Sequence, residues 1–212
     1  MCSGRVDLEF ILRAFSNGQD GVFIGGCRLG ECNYVTHGNY DAFATVSLCK
    51  KIMEQIGLNP ERLRLEFMSG ADGGLLADVT NDFSKEIKAL EPLGKSEGIN
   101  EKGLRFKLEA ARKLVPYIKL VERERLRVPS KSLEAYKEFY TGSEFDRLFD
   151  ELIGNQLAIS QIMSLLKERP LSTGEIAKEL GLSPSGISNH MKRSSKHGLV
   201  RYDVSRKCYA LA

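Results

Sequence analysis

Apolar residues recur at helical spacing from Leu8 to Phe15, and Asn17-Gly18 stops the pattern, so the chain opens with a predicted amphipathic helix. Gly21 to Gly25 is a short apolar run that ends in glycines and reads as a buried strand. Asp41 to Ile56 returns to helical spacing, closes at Gly57, and is followed by the turn residues Asn59-Pro60-Glu61. Arg62 to Met68 alternates polar and apolar with period two, which predicts a second strand. Ser69-Gly70-Ala71-Asp72-Gly73-Gly74 then makes a second glycine-rich loop before a helix through Leu90. Strand, helix, strand, helix is the signature of an α/β fold with a small parallel sheet, and such sheets hold ligands at the carboxyl ends of their strands.

Downstream the pattern changes. Pro92 to Gly98 reads as a short linker, and Leu104 to Leu126 as a long basic helical pattern interrupted by Pro116. Its densest cluster, Arg123, Arg125 and Arg127, reads as a solvated face with helical ion pairs such as Glu109–Lys113, or as a docking surface for an acidic partner or nucleic acid. Leu133 to Ile153 is an acidic helical stretch whose Tyr136, Phe139, Tyr140, Phe145 and Phe149 have the spacing of a core or helix-pair interface. Three segments follow: an α/β domain over 1–92, a basic then acidic helical linker over 93–154, and a terminal module over 155–212.

Charge supports that division more than composition does. The content of 42% hydrophobic and 28% charged residues is ordinary for a globular protein, and the net charge is +3. That charge is distributed as −4, +6, −4 and +5 over residues 1–100, 101–131, 132–166 and 167–212. No apolar run approaches the roughly 18 residues of a membrane span and no leader is evident, so a cytoplasmic protein without membrane contact is expected. Five cysteines, an odd number, argue for reduced thiols or metal ligands over a disulfide framework.

Two of those cysteines lie in Gly25-Gly26-Cys27-Arg28-Leu29-Gly30-Glu31-Cys32-Asn33-Tyr34, a glycine-rich turn directly after the first strand. Thiolates in such a turn suit a zinc ion or an iron-sulfur cluster alike, and glycines let backbone amides approach a cluster's sulfurs. Either metal asks for about four ligands. Cys2, in another small-residue turn before the first helix, is the remaining candidate near this edge. Cys49 falls inside a helical pattern and reads as a small core hydrophobe, and Cys208 lies in the distant terminal module. Gly70 to Gly74 is too loose for a nucleotide site and reads as a turn beside the cysteines.

In the terminal module, Ile159 to Lys167 is amphipathic, and Ser172 with Glu175 has capping-box spacing at the start of a second helix. Gly181-Leu182-Ser183 makes a turn, and Pro184 to Gly198 supplies a third helix with Ile187 and Met191 facing inward. Val200 to Tyr202 and Cys208 to Leu211 flank a turn. This arrangement resembles a winged helix-turn-helix, which serves either as a DNA reader or as a protein-docking module. As a DNA reader it would present Ser185, Ser188, Asn189, Lys192 and Arg193 to the major groove, with Arg206 and Lys207 meeting the backbone from the wing. His190 and His197 read as packing or surface residues, with metal ligation as the alternative.

Cys2-Ser3-Gly4-Arg5, Gly26-Cys27-Arg28-Leu29-Gly30-Glu31-Cys32-Asn33-Tyr34 and Gly38-Asn39-Tyr40 resemble the delta subunit of methyl-viologen-reducing hydrogenase, to about residue 90. The resemblance implies a 2Fe-2S cluster held by Cys2, Cys27 and Cys32. It also implies electron relay between a hydrogenase or formate dehydrogenase and the flavin subunit of heterodisulfide reductase. Arg28 and Asn33 stand where that family often has histidine. Family members begin earlier, with a further cysteine pair in a first strand-loop unit, so three alternatives stand: another polypeptide supplies the upstream part and the fourth ligand, that part was lost when the start codon was assigned, or the site is degenerate and empty. The alternative function is a redox-responsive transcription regulator, in which the thiol-bearing domain biases DNA binding by the winged helix.

Overall fold

The computed structural model describes residues 2–34 and 38–212, which divide into two units at Phe149/Asp150. The first unit begins with α1 (Leu8–Ser16), whose N-terminus is capped by Asp7 accepting the Glu9 amide at 2.9 Å. It buries Leu8, Ile11, Leu12 and Phe15 completely, the stripe that the spacing predicts. β1 (Val22–Gly26) and β2 (Leu63–Phe67) pair in parallel, Val22 opposite Leu63 and Gly26 opposite Phe67. The connection between them is α2 (Asn39–Ile56), which ends at Gly57 in the left-handed conformation (φ 81°). α2 buries Val46, Leu48, Cys49, Ile52, Met53 and Ile56. Burial without a partner pushes the Cys49 thiol far up, so Cys49 is an inert core residue. α3 (Gly73–Ala89) lays Phe83 on Phe23 of β1, with ring centres 5.9 Å apart.

The stretch read as linker forms α4 (Glu101–Lys113), α5 (Val115–Arg125), α6 (Leu133–Tyr140) and α7 (Ser143–Phe149). α4 and α5 meet at Leu114, and Pro116 sits in the first turn of α5, where its missing N–H costs no helical bond. These helices pack on the α/β elements. Arg112 of α4 pairs with Glu9 of α1 at 2.6 Å, and Lys119 of α5 pairs with Asp7. Phe43 of α2 meets Tyr136 and Tyr140 of α6, and that cluster continues through Phe145 to Phe149. Glu109 and Lys113 pair at 3.0 Å on the outer face of α4.

Inside this packing, Glu122 of α5 accepts the Thr45 hydroxyl at 3.2 Å. Burial raises its carboxyl from 4.5 to about 7, Thr45 opposes the rise, and Asp41 adds to it. A folded pKa above the unfolded value means the folded state holds an extra proton, so this residue's contribution to stability declines as pH climbs from 4.5 to about 7. Glu122→Gln should therefore raise the urea midpoint at pH 8 and leave it nearly unchanged at pH 4. Equal shifts at both pH values would refute this titration.

In the second unit a π-helical turn (Asp150–Gly154) leads into α8 (Asn155–Glu168). α9 (Thr173–Leu180) starts at a complete Ser172/Glu175 capping box and ends at left-handed Gly181. α10 (Pro184–Lys196) is capped by Ser183 and buries Ile187 and Met191. β3 (Val200–Asp203) and β4 (Cys208–Leu211) form an antiparallel hairpin, and Tyr209 of β4 exchanges both backbone hydrogen bonds with Leu171 ahead of α9. The chain is thus a mixture of helices with small sheets, ending in a winged helix-turn-helix. Among the described residues no helix is long and apolar enough to cross a membrane.

Candidate functional site

Both parallel strands point their carboxyl ends at one edge of the first unit, and three cysteines converge there. Cys2 precedes a single 3-10 turn (Ser3–Arg5) packed beside the start of α2. The Cys2 and Cys32 sulfurs stand 3.6 Å apart. That is well beyond the roughly 2.05 Å of a disulfide, and both thiols are free. It is close to the roughly 3.8 Å that separates two thiolates on one tetrahedral metal with bonds of about 2.3 Å. Cys27 follows β1. Burial pushes its thiol up, and hydrogen bonding and charge repulsion from Cys32 add to that rise. Cys32 goes the other way, its thiol lowered first by the Tyr34 backbone amide against an opposing effect of burial.

The loop is fastened by groups that no sequence motif singles out. Asn39, the fully buried first residue of α2, donates to the Cys27 carbonyl at 2.7 Å and to the Arg28 carbonyl at 2.6 Å, and approaches the Cys27 sulfur at 3.6 Å. Its Oδ1, like the Ser3 hydroxyl, is buried with no protein partner among the described residues. Arg28 pairs with Asp72 at 2.6 Å, and Asp72 also accepts the Ser69 amide, so the glycine loop after β2 is tied to the cysteine loop. A cavity of about 410 Å³ opens between them, lined by Cys2, Ser3, Cys27, Met68, Asp72 and Leu76 together with bare glycine backbone.

The donor set therefore suits a thiophilic group. Three thiols share one edge, two at the spacing of common ligands, with two orphaned polar atoms behind them. Among the described residues, no three side chains of His, Cys, Asp or Glu form a closed metal cage. Cys208 is buried in the hairpin of the second unit and takes no part.

In the second unit, Ser185, Ser188, Asn189, Lys192 and Arg193 are all exposed on α10. Arg206 and Lys207 are exposed in the turn joining β3 to β4. Ser188 is back-bonded to the Pro184 carbonyl at 2.9 Å, and Ser185 lies 3.3 Å from the Ser183 hydroxyl, so part of their hydrogen-bonding capacity is already used. His190 is partly buried, its imidazole lowered by burial and by Arg193, and His197 is exposed.

Residues 1–91 match the family described as methyl-viologen-reducing hydrogenase, delta subunit, and residues 160–202 match the family described as bacterial regulatory protein, arsR family. An iron-sulfur subunit of the F420-non-reducing hydrogenase of Archaeoglobus profundus is 47% identical over 91 residues, covering 43% of this chain and 66% of that protein. The corresponding vhu iron-sulfur subunit of Methanopyrus kandleri is 37% identical over 92 residues, covering 43% of this chain and 69% of that protein. One subunit of the ferredoxin:CoB-CoM heterodisulfide reductase of Methanosarcina mazei is 43% identical over 94 residues, covering 44% of this chain but only 12% of that protein. The chain thus spans about two thirds of the hydrogenase subunits and a small part of the reductase subunit.

Proposed function

From the premise that this chain belongs to the methyl-viologen-reducing hydrogenase delta-subunit family, we propose that it serves in electron transfer. Its glycine-rich cysteine loop would present Cys27 and Cys32, with Cys2, as thiolate ligands of a 2Fe-2S cluster. The observation that carries this reading is the pair of Cys2 and Cys32 sulfurs at 3.6 Å on the edge where Cys27 follows β1. When bound, such a cluster accepts and donates single electrons. The chain's own residues supply the rest. Asn39 holds the Cys27–Arg28 backbone in place, the Arg28–Asp72 pair keeps the two glycine loops together, and Gly25 and Gly26 leave room at the cavity wall. A fourth ligand comes from outside the three thiols. The names of the relatives support a hydrogenase on one side of the relay and heterodisulfide reductase on the other. Formate dehydrogenase is the alternative donor.

Anaerobic reconstitution with iron and sulfide tests this directly. The full chain should gain visible sulfur-to-iron absorption, and Cys27→Ser and Cys32→Ser should each lose most of it. A colourless wild-type protein would overturn the cluster assignment for this chain.

A second reading, regulation through DNA, draws on the arsR-family match and on the exposed polar and basic side chains of α10. Lys192 and Arg193 would meet phosphates beside base edges, and Arg206 and Lys207 would grip the backbone from the wing. Promoter DNA should then shift in a salt-dependent manner, with Lys192→Ala lowering the slope of log affinity against log salt by about one. A slope untouched by Lys192→Ala would count against α10 as the contact helix.

A further inference from the structure

A second and larger cavity, about 640 Å³, lies on the first unit away from the three thiols, within the roughly 300–1,000 Å³ of small-molecule sites. It sits between α2, α6 and β2. Phe43, Val46, Ser47 and Lys50 line it from α2, at the spacing of one helical face. Leu133 and Lys137, one turn apart, line it from α6, and Leu65, Glu66 and Phe67 close it from β2. The two helices run in the same sense here. Asp41 at the start of α2 lies 3.9 Å from Lys131 just before α6, and Lys51 further along α2 meets Asp146 of α7, beyond the end of α6, at 2.6 Å. Their lining therefore changes together, from Phe43 and Leu133 at one end to Lys50 and Lys137 at the other.

β2 runs the opposite way along them and keeps the same division. Phe67 at its end lies beside Phe43, with ring centres 6.5 Å apart and planes within 8° of parallel, whereas Glu61 ahead of the strand reaches Lys50. Arg28 and Leu29, just past the Gly26–Phe67 pair, close the aromatic end, and Arg28 is held there by Asp72 at 2.6 Å. Glu66 shares a strand face with Arg64, which binds it at 2.8 Å and also binds Glu86 of α3, so its carboxylate lies on the face of the sheet away from α2. Free charge is left at the other end. Lys50 has the long 3.7 Å contact with the exposed Glu61, a kind of pair that contributes little, and exposed Lys137 has no acidic partner among the described residues.

We propose that this cavity binds a planar aromatic ligand with an anionic tail, the make-up of a mononucleotide. Its ring system lies against Phe43 and Phe67, and its phosphate meets Lys50 and Lys137 at the other end. An aliphatic anion would leave the two phenylalanine rings without a stacking partner, and a neutral aromatic would leave the lysines without a counter-charge. The inference is independent of the cluster, because none of the cysteines lines the cavity.

The test is equilibrium dialysis of the full chain against AMP, GMP, UMP and FMN, each beside its counterpart without the phosphate. At least one nucleotide should bind, about tenfold or more tighter than that counterpart, and added salt should weaken the nucleotide alone. The bound nucleotide should also shift the ring NMR signals of Phe43 and Phe67. Lys50→Ala combined with Lys137→Ala should remove most of the nucleotide's advantage with the far-UV circular dichroism unchanged. Lys102→Ala, exposed on α4 outside the cavity, should remove none of it. Failure of every nucleotide to bind, equal affinity for nucleotide and counterpart, an advantage that survives loss of both lysines, or unmoved Phe43 and Phe67 signals would each overturn the proposal.

Discussion

Arg62→Ala should cost the first unit about 3–5 kcal/mol, the range for removing one partner of a buried ion pair. Arg62 is completely buried and ends the 3-10 turn (Pro60–Arg62) that leads into β2. Its guanidinium donates to Glu97 at 2.6 and 3.2 Å, to the carbonyls of Asp20, Glu91 and Leu90 at 3.0–3.1 Å, and to the Ser96 hydroxyl at 3.0 Å. One planar fork thus joins the loop before β1, the two carbonyls just past the end of α3 and the turn that follows them. Alanine would strand an almost fully buried carboxylate and several carbonyls together. Arg62→Lys should recover little, because a single ammonium cannot reproduce the fork.

The same site has a pH signature. Burial pushes the Glu97 carboxyl up, but hydrogen bonds from Arg62 and the Asn59 amide outweigh it and leave the group below its usual 4.5. The folded state then holds fewer protons than the unfolded one, so this stabilisation is present above pH 4.5 and is lost as pH falls through the folded value. Wild-type protein should lose stability below about pH 4.5 more steeply than Arg62→Ala. Urea unfolding at about pH 7 and about pH 3.5, read by hydrogen exchange in peptides from residues 1–149, measures both effects. A loss below about 1 kcal/mol at neutral pH would refute this role for Arg62.

Arg62 also marks where reading the sequence reaches its limit. Period-two alternation through Arg62-Leu63-Arg64-Leu65 correctly announces a strand, yet it places both arginines on a polar face by the same logic. Arg64 fits that reading, paired at the surface with Glu66 and Glu86. The burial of Arg62 depends on carbonyls 28 to 42 residues away, which no local pattern encodes. The helices of the first unit were legible because amphipathic stripes are local, and Cys49 was recognisable as core from its spacing alone. The cysteine edge was legible from composition, since glycine and cysteine rarely cluster without a ligand or a turn to explain them. Its supports were not: Asn39 looks like an ordinary helix-start residue until its side chain is seen bonding the Cys27 and Arg28 carbonyls. The packing of α4 to α7 onto the α/β elements was hidden for a related reason, because charge and a proline describe a segment's surface and breaks but not what its apolar stripe covers.

Gly38→Ala tests the cysteine edge with the same kind of tertiary dependence. A Cβ at Gly38 would stand 2.4 Å from the Tyr34 carbonyl oxygen and 2.6 Å from the Cys32 sulfur. The Cys32 side chain could rotate away, but the Tyr34 carbonyl is backbone, so relief requires the loop itself to shift. Cys32 would then part from Cys2. Mild oxidation of the metal-free protein reads that distance, because the two thiols at 3.6 Å need little movement to form a disulfide. Peptide mapping should find the Cys2–Cys32 bond first in wild-type protein, with buried Cys49 unmodified. In Gly38→Ala its formation should slow by about tenfold or more, since misplacement of reacting groups by about 1 Å costs rates up to roughly a hundredfold. Gly74→Ala is the control. Gly74 lies in the first turn of α3, and a methyl group there would meet nothing within 4 Å. The substitution should leave the oxidation rate unchanged while firming the helix by about 0.5–1 kcal/mol. Equal oxidation rates in Gly38→Ala and wild type would show that the close approach of Gly38 does not hold Cys32 beside Cys2, and that the spacing of the two thiols is set elsewhere in the loop.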